Sequence, residues 1–386
     1  MSVSVRSTPF ETPSLDQCLL DWRRFCNGLR REGSVAIVYH GDADGAVAAS
    51  VVDHILTQHL KQQPALYWVG TDEYDFGELQ RWLQRYKTTR MIFLDVAIEN
   101  EPSMLACLLA ATQGTAFIFD HHLVRQDTAV EGAILANPTP NPLRPGEIPV
   151  PSFAFALALS RTCRLSFPDW LLAYVSFAEG VDSFVEPFMR HLVSSIAPLG
   201  AGQSLRDWYR RSRLGRVGSL VRAAFSDNAK THEVVRLMQT SILEEHNSCE
   251  ALLNGLESRF GPSADRIARV ITQLVSHYEQ DLSTASGRLV ALPINDVHAV
   301  AGPVASILRG KAPDKVILTS IRKNGIIVCE LRTGVKSETN LVELLKRVAE
   351  SVPMVNFGGH ASAAGALVAQ ADFDLFLLTL RSIVER

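Results

Sequence analysis

The six cysteines, Cys18, Cys26, Cys107, Cys163, Cys249 and Cys329, include no CxxC pair, which argues against a zinc ribbon or a disulfide framework. They read as reduced, mostly buried thiols in a cytoplasmic protein. Excess charge is lacking as well. The 38 basic and 41 acidic residues leave a net charge of −3, so nothing draws the chain as a whole to nucleic acid or to an anionic membrane. Any polyanion must be held by a local patch or by metal. Long apolar runs are also missing. The stretches 104–119 and 153–178 are interrupted by Gln113 and by Arg161, Arg164, Pro168 and Asp169, short of the roughly 20 apolar residues of a membrane span. Met1 to Asp16 is polar, holds Pro9 and Pro13, and lacks the apolar core of a signal peptide. Internal repeats and low-complexity tracts are absent.

What is present is a globular composition, 47% hydrophobic and 20% charged over 386 residues, enough for two or three domains at about 150 residues each. The organising stretch is Ser34 to Gly45, SVAIVYHGDADG, where an apolar strand stops at His40, Asp42 and Asp44. Residues two apart in an extended chain point the same way, so these three can converge. Gly45 permits a tight turn into a helix over 46–60. The pattern recurs twice. RMIFLDVA at 90–97 carries Asp95 near its end, and TAFIFDHH at 115–122 ends in Asp120, His121 and His122. Three strands thus deliver carboxylates or imidazoles at their C-terminal ends, where open α/β sheets bind ligands.

In order, the periodicity predicts a helix over 15–32, then strands at 34–40, 65–69, 90–96, 115–120 and 133–136 with helices at 46–60, 76–86 and 102–112 between them. That alternation predicts an α/β fold with a doubly wound, mostly parallel sheet. A proline-rich loop spans 138–151, followed by buried helices at 152–163 and 170–178. From 185 to 286 the pattern is wholly helical, and its first half interleaves Arg206, Arg210, Arg211, Arg213, Arg216 and Arg222 with Trp208 and Tyr209. Such a stretch is either a solvated helix face or a track for a phosphate backbone. The last hundred residues form a smaller α/β unit with a hairpin at Asn324-Gly325, a helix capped by Thr339 or Asn340, and a glycine loop, FGGHASAAG, at 357–365. The expected domains are a catalytic unit at 1–184, a helical connector at 185–286 and a small unit at 287–386.

Several carboxylates and up to three imidazoles without thiolates suit Mn²⁺ or Mg²⁺ better than structural zinc, and histidine tips the choice to Mn²⁺. So many ligands fit two ions about 3.5 to 4 Å apart sharing a carboxylate, an arrangement suited to phosphoester hydrolysis. In the small unit, Gly358 and Gly359 expose backbone N–H groups and His360 adds a donor, which suits a phosphate.

HGDADG at 40–45, LD at 94–95, DHH at 120–122, VD at 181–182 and GGHASAAG at 358–365 together resemble the ordered motifs of the DHH phosphoesterase superfamily with a C-terminal DHHA1 domain. The resemblance implies that Asp42 and Asp44 bind different metals, that Asp95 bridges them, and that His121 and Asp182 complete the second. It makes Asp120 an orienting acid and turns His122 toward the metals or the phosphate. It also implies that Arg332, with the loop of Gly358, Gly359 and His360, holds the substrate end away from the metals. His40 lies two residues before Asp42, whereas several family members place their first histidine four before, at the position of Val38; the spacing here is closer to archaeal RecJ-like nucleases. The leading expectation is a Mn²⁺-dependent phosphodiesterase or exonuclease for single-stranded or short oligonucleotides. The alternatives are a phosphohydrolase of a small compound (a cyclic dinucleotide, phosphoadenosine phosphate or pyrophosphate) and a non-catalytic binding protein on a DHH fold. The apolar faces of the connector helices leave room for a homodimer.

Overall fold

The computed structural model describes the chain apart from residues 1–5, 8–12, 30–33, 71–74, 123–127, 140–149, 180–185, 197–198, 201, 227–230, 244–248, 296–299 and 386. It divides into two compact units, Met1–Gly261 and Pro262–Arg386. In the first, β1 (Arg6–Ser7) and α1 (Leu15–Leu29) precede β2 (Ser34–His40), α2 (Ala43–His59), β3 (Ala65–Val69), α3 (Phe76–Arg85), β4 (Thr88–Leu94), α4 (Pro102–Thr112) and β5 (Thr115–Phe119). Strand β6 (Thr128–Ala129) pairs with β1, and β7 (Ala133–Ala136) completes the main sheet. The proline-rich loop expected at 138–151 lies largely outside the described residues.

The main sheet is parallel throughout, in the order β3-β2-β4-β5-β7. Because β2 has β3 on one side and β4 on the other, the winding reverses there. Ligands in doubly wound sheets bind beyond the carboxyl ends of the strands at such a reversal. Both faces are covered. Ala36, Val38, Met91, Phe93, Ala116 and Ile118 pack with Leu79 and Leu83 of α3 and Leu105, Leu108 and Leu109 of α4. On the other face Phe117 and Phe119 meet Trp22 and Phe25 of α1 and Phe155 of α5 (Ser152–Thr162), with the Phe119 and Phe155 rings 4.2 Å apart. Aromatic pairs of this kind add about 0.5–1.5 kcal/mol each beyond their buried area.

After α6 (Asp169–Ala178) the chain is helical, with α7 (Glu186–Ile196), α8 (Leu205–Arg211), α9 (Arg213–Phe225), α10 (Thr231–Leu243) and α11 (Cys249–Thr284). Helix α2 is buried on every side from Ala43 to Leu56, as a helix enclosed by others must be, and it packs against α5, α6 and α10. The basic-aromatic segment is largely structural. Trp208 is 5% exposed and Tyr209 stacks on Phe177 at 4.6 Å, while Arg213 pairs with Glu250 and Arg216 Nη2 lies 2.6 Å from Glu257 Oε1, tying α9 to α11. The unit boundary falls inside α11 at Gly261-Pro262, where the proline removes a backbone donor. No helix among the described residues is long and apolar enough to cross a membrane. The six cysteines are unpaired; Cys18 and Cys329 are buried, Cys107 is exposed and the rest are intermediate, so fewer are buried than expected.

The second unit contains β8 (Leu289–Ile294), α12 (Ala301–Lys311), β9 (Val316–Lys323), β10 (Ile326–Thr333), α13 (Leu341–Ala349), β11 (Asn356–His360), β12 (Ala363–Ala369) and α14 (Phe373–Val384). Its sheet runs β11-β12-β10-β9-β8, with only the β8–β9 pair parallel. Asn324 and Gly325 take positive φ (48° and 80°), as the tight hairpin turn requires. Asn340, rather than Thr339, caps α13, its Oδ1 accepting from Val342 N and Glu343 N. FGGHASAAG is not a loop. It forms the β11–β12 hairpin, with Gly358 opposite Gly365 and Gly359 opposite Ala364. Gly359 has φ +124° and a Cβ there would lie 2.5 Å from Ala363 O, so glycine serves a close strand approach.

The turn from β2 into α2 depends on another missing side chain, since a Cβ on Gly45 would stand 2.3 Å from His40 O. Gly45→Ala should therefore lower unfolding stability by about 1–3 kcal/mol in urea titrations of the metal-free protein. Unchanged stability would show that the turn is not tightly packed.

Candidate metal centre

The apolar run Val35–Tyr39 is buried in mid-sheet, and the chain reaches the sheet edge at His40. Asp42 has extended dihedrals and caps α2: Oδ1 accepts from Gly45 N at 3.0 Å and Oδ2 accepts from His40 Nδ1 at 2.9 Å. The helix consequently begins at Ala43, earlier than the pattern predicts. Asp44 is fully buried in the first turn, and its carboxylate accepts from Ser152 N (2.7 Å) and Phe153 N (2.6 Å) at the start of α5. Its carboxyl group thus sits on the positive end of a helix.

Asp95 follows β4 with φ 61°, a left-handed conformation that non-glycine residues adopt at a cost of order 1–3 kcal/mol. It is 2% exposed, and neither carboxylate oxygen accepts a hydrogen bond. Histidines flank it instead, with His40 Nδ1 3.3 Å from Oδ2 and His121 Nδ1 3.4 Å from Oδ1. His121 Nδ1 is also 3.3 Å from Asp44 Oδ2. Beyond β5, Asp120 Oδ1 accepts from His122 Nδ1 at 2.8 Å, and the His121 and His122 rings stack with centroids 4.6 Å apart.

Three groups of residues bring potential ligand atoms within 4.8 Å of one another: His40, Asp42 and Asp95; Asp95, His121 and His122; and Asp44, His121 and Glu179. Asp95 belongs to two of them. The predicted residues His40, Asp42, Asp44, Asp95, Asp120, His121 and His122 are thus gathered at one sheet edge. Asp182 lies outside the described residues. Glu179 at the end of α6 and Glu99, buried in the turn after β4, are additions that sequence reasoning missed. Their only sequence signal is position, since each is an acid just beyond an apolar element. In the second unit, Arg332 on β10 donates from Nη1 to Glu330 Oε2 (2.9 Å) and to Leu331 O (2.8 Å), while Gly358, Gly359 and His360 lie on the edge strand β11.

Burial, then the charges of Asp42 and Asp44, push Asp95 well above the carboxylate range; burial with Asp42, Asp44 and Asp95 does the same to Glu179. Burial opposes ionisation of Asp42 and Asp120 too, but the adjoining His40 and His122 outweigh it and hold both acids low. The same pairings raise His40 and His122 against the effect of burial, and Asp44 with Asp95 does so for His121. Sealed Asp95 oxygens that accept no hydrogen bond, amid converging carboxylates and imidazoles, fit a hard or borderline divalent cation, and a donor set without thiolate disfavours a structural zinc site.

Asp95 has a raised folded value, so its ionised form weakens the metal-free fold increasingly as pH rises from the ordinary carboxylate range through that value. Asp95→Asn tolerates the same φ and carries no charge. At mildly alkaline pH it should stabilise the EDTA-treated protein by about 1 kcal/mol and abolish the Mn²⁺-induced rise in melting temperature. Divalent binding must also displace protons from raised acids and imidazoles. Calorimetry in buffers of different ionisation enthalpy should show net proton release, and an affinity that weakens as pH is lowered.

Residues 288–386 match the DHHA1 domain family. A comparison with curated protein sequences finds no match. Among solved structures, Mn²⁺-bound RecJ from Thermus thermophilus superposes with a TM-score of 0.63 at 16% identity, over 98% of this chain and 55% of that one. The chain thus spans little more than half the length of that protein. A manganese-bound exonuclease RecJ gives 0.58 at 16% identity, covering 98% and 96% of the two chains. A DHH domain described as belonging to a family of ribosomal proteins gives 0.63 at 13%, over 99% and 95%. At such identities the likeness is one of fold. Residues 288–386 thus match the DHHA1 domain family, and the chain as a whole shares its fold with these RecJ and DHH-domain structures.

Proposed function

We propose that the protein is a divalent-metal-dependent phosphoesterase, with Mn²⁺ as its ion and single-stranded or short oligonucleotides as its substrates. One arrangement carries this reading: Asp95 is common to ligand groups on either side of it at the switch point of a parallel sheet. His40, Asp42 and Asp95 would hold one ion, while Asp44, His121 and Glu179, with Asp182, would hold the second against the shared Asp95. Such a pair would lower the pKa of bound water, so that hydroxide is available as the nucleophile near neutral pH, and would offset negative charge on the phosphoryl oxygens.

The protein's own part is to place charge and exclude solvent. Asp95 and His121 are buried, so the carboxylates act at low dielectric. His122 is the more exposed of the two adjacent histidines, and its ring is steadied by Asp120, which suits it to contact the phosphate as a hydrogen-bond donor. Arg332, Gly358, Gly359 and His360 are assigned to substrate recognition, on the strength of the DHHA1 match and the exposed backbone of an edge strand. The manganese and exonuclease in the descriptions of the RecJ structures favour this assignment over a purely binding role.

The test is product analysis with 5′-labelled RNA and DNA, from dinucleotides to longer strands, in Mn²⁺ and in EDTA. Mononucleotide release with Mn²⁺ alone is expected, reduced about a hundredfold or more in Asp95→Ala. Hydrolysis confined to a cyclic dinucleotide, phosphoadenosine phosphate or pyrophosphate would move the substrate to a small compound. Inactivity on every substrate would overturn the enzymatic reading.

A further inference from the structure

Trp68 stands at the rim of the metal-type residues. It lies on β3, the edge strand of the parallel sheet, opposite Tyr39 of β2, so that at the next position His40 pairs with Val69. Gly41 N donates to Val69 O at 2.9 Å, which carries the strand pairing on between His40 and Asp42. The six-membered ring of Trp68 leans over this stretch: a Cβ built on Gly41 would lie 2.9 Å from its Cε3, and one on Gly70 would lie 2.9 Å from its Cζ3. Side chains do not tolerate such approaches, so two glycines leave the space that the indole occupies.

The other tryptophans are engaged in packing. Trp22, Trp82 and Trp208 each meet another aromatic ring, and Trp22, Trp170 and Trp208 are buried. Trp68 is half-buried, and it meets no other ring among the described residues. It also stands where the centre is open. Asp42, bonded to Gly41, has 38% of its side chain exposed, against 18% for His40 and at most 5% for Asp44, Asp95 and His121.

An aromatic face beside a phosphate site suits a nucleobase, because every base has a π-face and stacking tolerates any sequence. The ring covers the residue between His40 and Asp42, so the nucleoside of a phosphate bound there lies within its reach. We propose that Trp68 is a specificity-determining residue: its ring is the platform for the nucleobase next to the scissile phosphate, and it selects nucleotide substrates over phosphates that carry no base. This rests on the phosphoesterase reading above and adds the base to it.

Two measurements test the platform. In the first, kcat/KM is compared between a dinucleotide and the same dinucleotide with its 5′ or its 3′ base replaced by hydrogen. The wild type should prefer the complete dinucleotide to one of these analogues. In Trp68→Ala that preference should fall about 5–150-fold, mostly through KM, whereas Trp68→Phe should keep most of it. In the second, a dinucleotide joined through a methylenephosphonate, which resists hydrolysis, should quench tryptophan fluorescence in the Mn²⁺-loaded wild type. The quenching should be largely lost in Trp68→Phe, and also with the corresponding analogue that lacks the base. Equal losses on complete and baseless substrates in Trp68→Ala, a preference unaltered there, or quenching that is absent from the wild type or retained in Trp68→Phe would overturn the proposal. If Trp68→Ala does not fold, Trp68→Leu, which fills more of the space over the glycines, takes its place. A wild type that hydrolyses no phosphoester yet shows the expected quenching would retain the platform and sink only the phosphoesterase assignment. Hydrolysis without base preference or quenching would retain that assignment and sink the platform.

Discussion

Negative charge is crowded at one end of a parallel sheet, and the architecture around it answers that crowding. Asp44, Asp95, Asp120 and Glu99 are buried, with Asp42 and Glu179 half-buried at their edge, and such a gathering is unfavourable unless something opposes it. Three kinds of opposition are built in. The first turns of α2 and α5 offer backbone donors to Asp42 and Asp44. Histidines stand against Asp42, Asp95 and Asp120. Third, burial and the acidic neighbours raise Asp95, Glu99 and Glu179 above the ordinary carboxylate range, which disfavours bare charge there, and a cation at Asp95 and Glu179 would relieve the same crowding.

The scaffold that tolerates this is apolar on both faces of its sheet, with α3 and α4 packed on one side and the aromatic cluster of α1, β5 and α5 on the other. Rigid strands let Asp95 keep a left-handed backbone that an isolated chain would relax.

Much of the site was legible in the sequence because its residues break a pattern. His40, Asp42, Asp95, Asp120 and His121 each interrupt an apolar strand, and strand ends in α/β folds converge. Glu99 and Glu179 were not legible: a lone glutamate in a turn or at a helix end is ordinarily solvated, and only the tertiary burial of Glu99 and the placement of Glu179 beside Asp44 and His121 distinguish these two. The parallel sheet and the Asn324-Gly325 hairpin followed from periodicity and turn chemistry. FGGHASAAG reads as a loop because glycine usually marks a turn, yet Gly358 and Gly365 pair across an edge hairpin where the absence of side chains lets backbones approach. The basic-aromatic segment reads two ways for a related reason. Its composition could not show that Trp208 is buried or that Glu250 and Glu257 meet its arginines.

The carboxylate of Asp44 sits among the converging ligands while also closing the N-terminus of α5 through Ser152 and Phe153. A descendant that abandoned the chemistry would be free to change His40 and Asp42 at the rim, but losing Asp44 would still strip a buried helix of its cap. Decay of such a site would run from the rim inward, leaving Asp44 as its last trace. An aspartate surviving alone at this position in a distant relative would therefore testify to packing and not to catalysis.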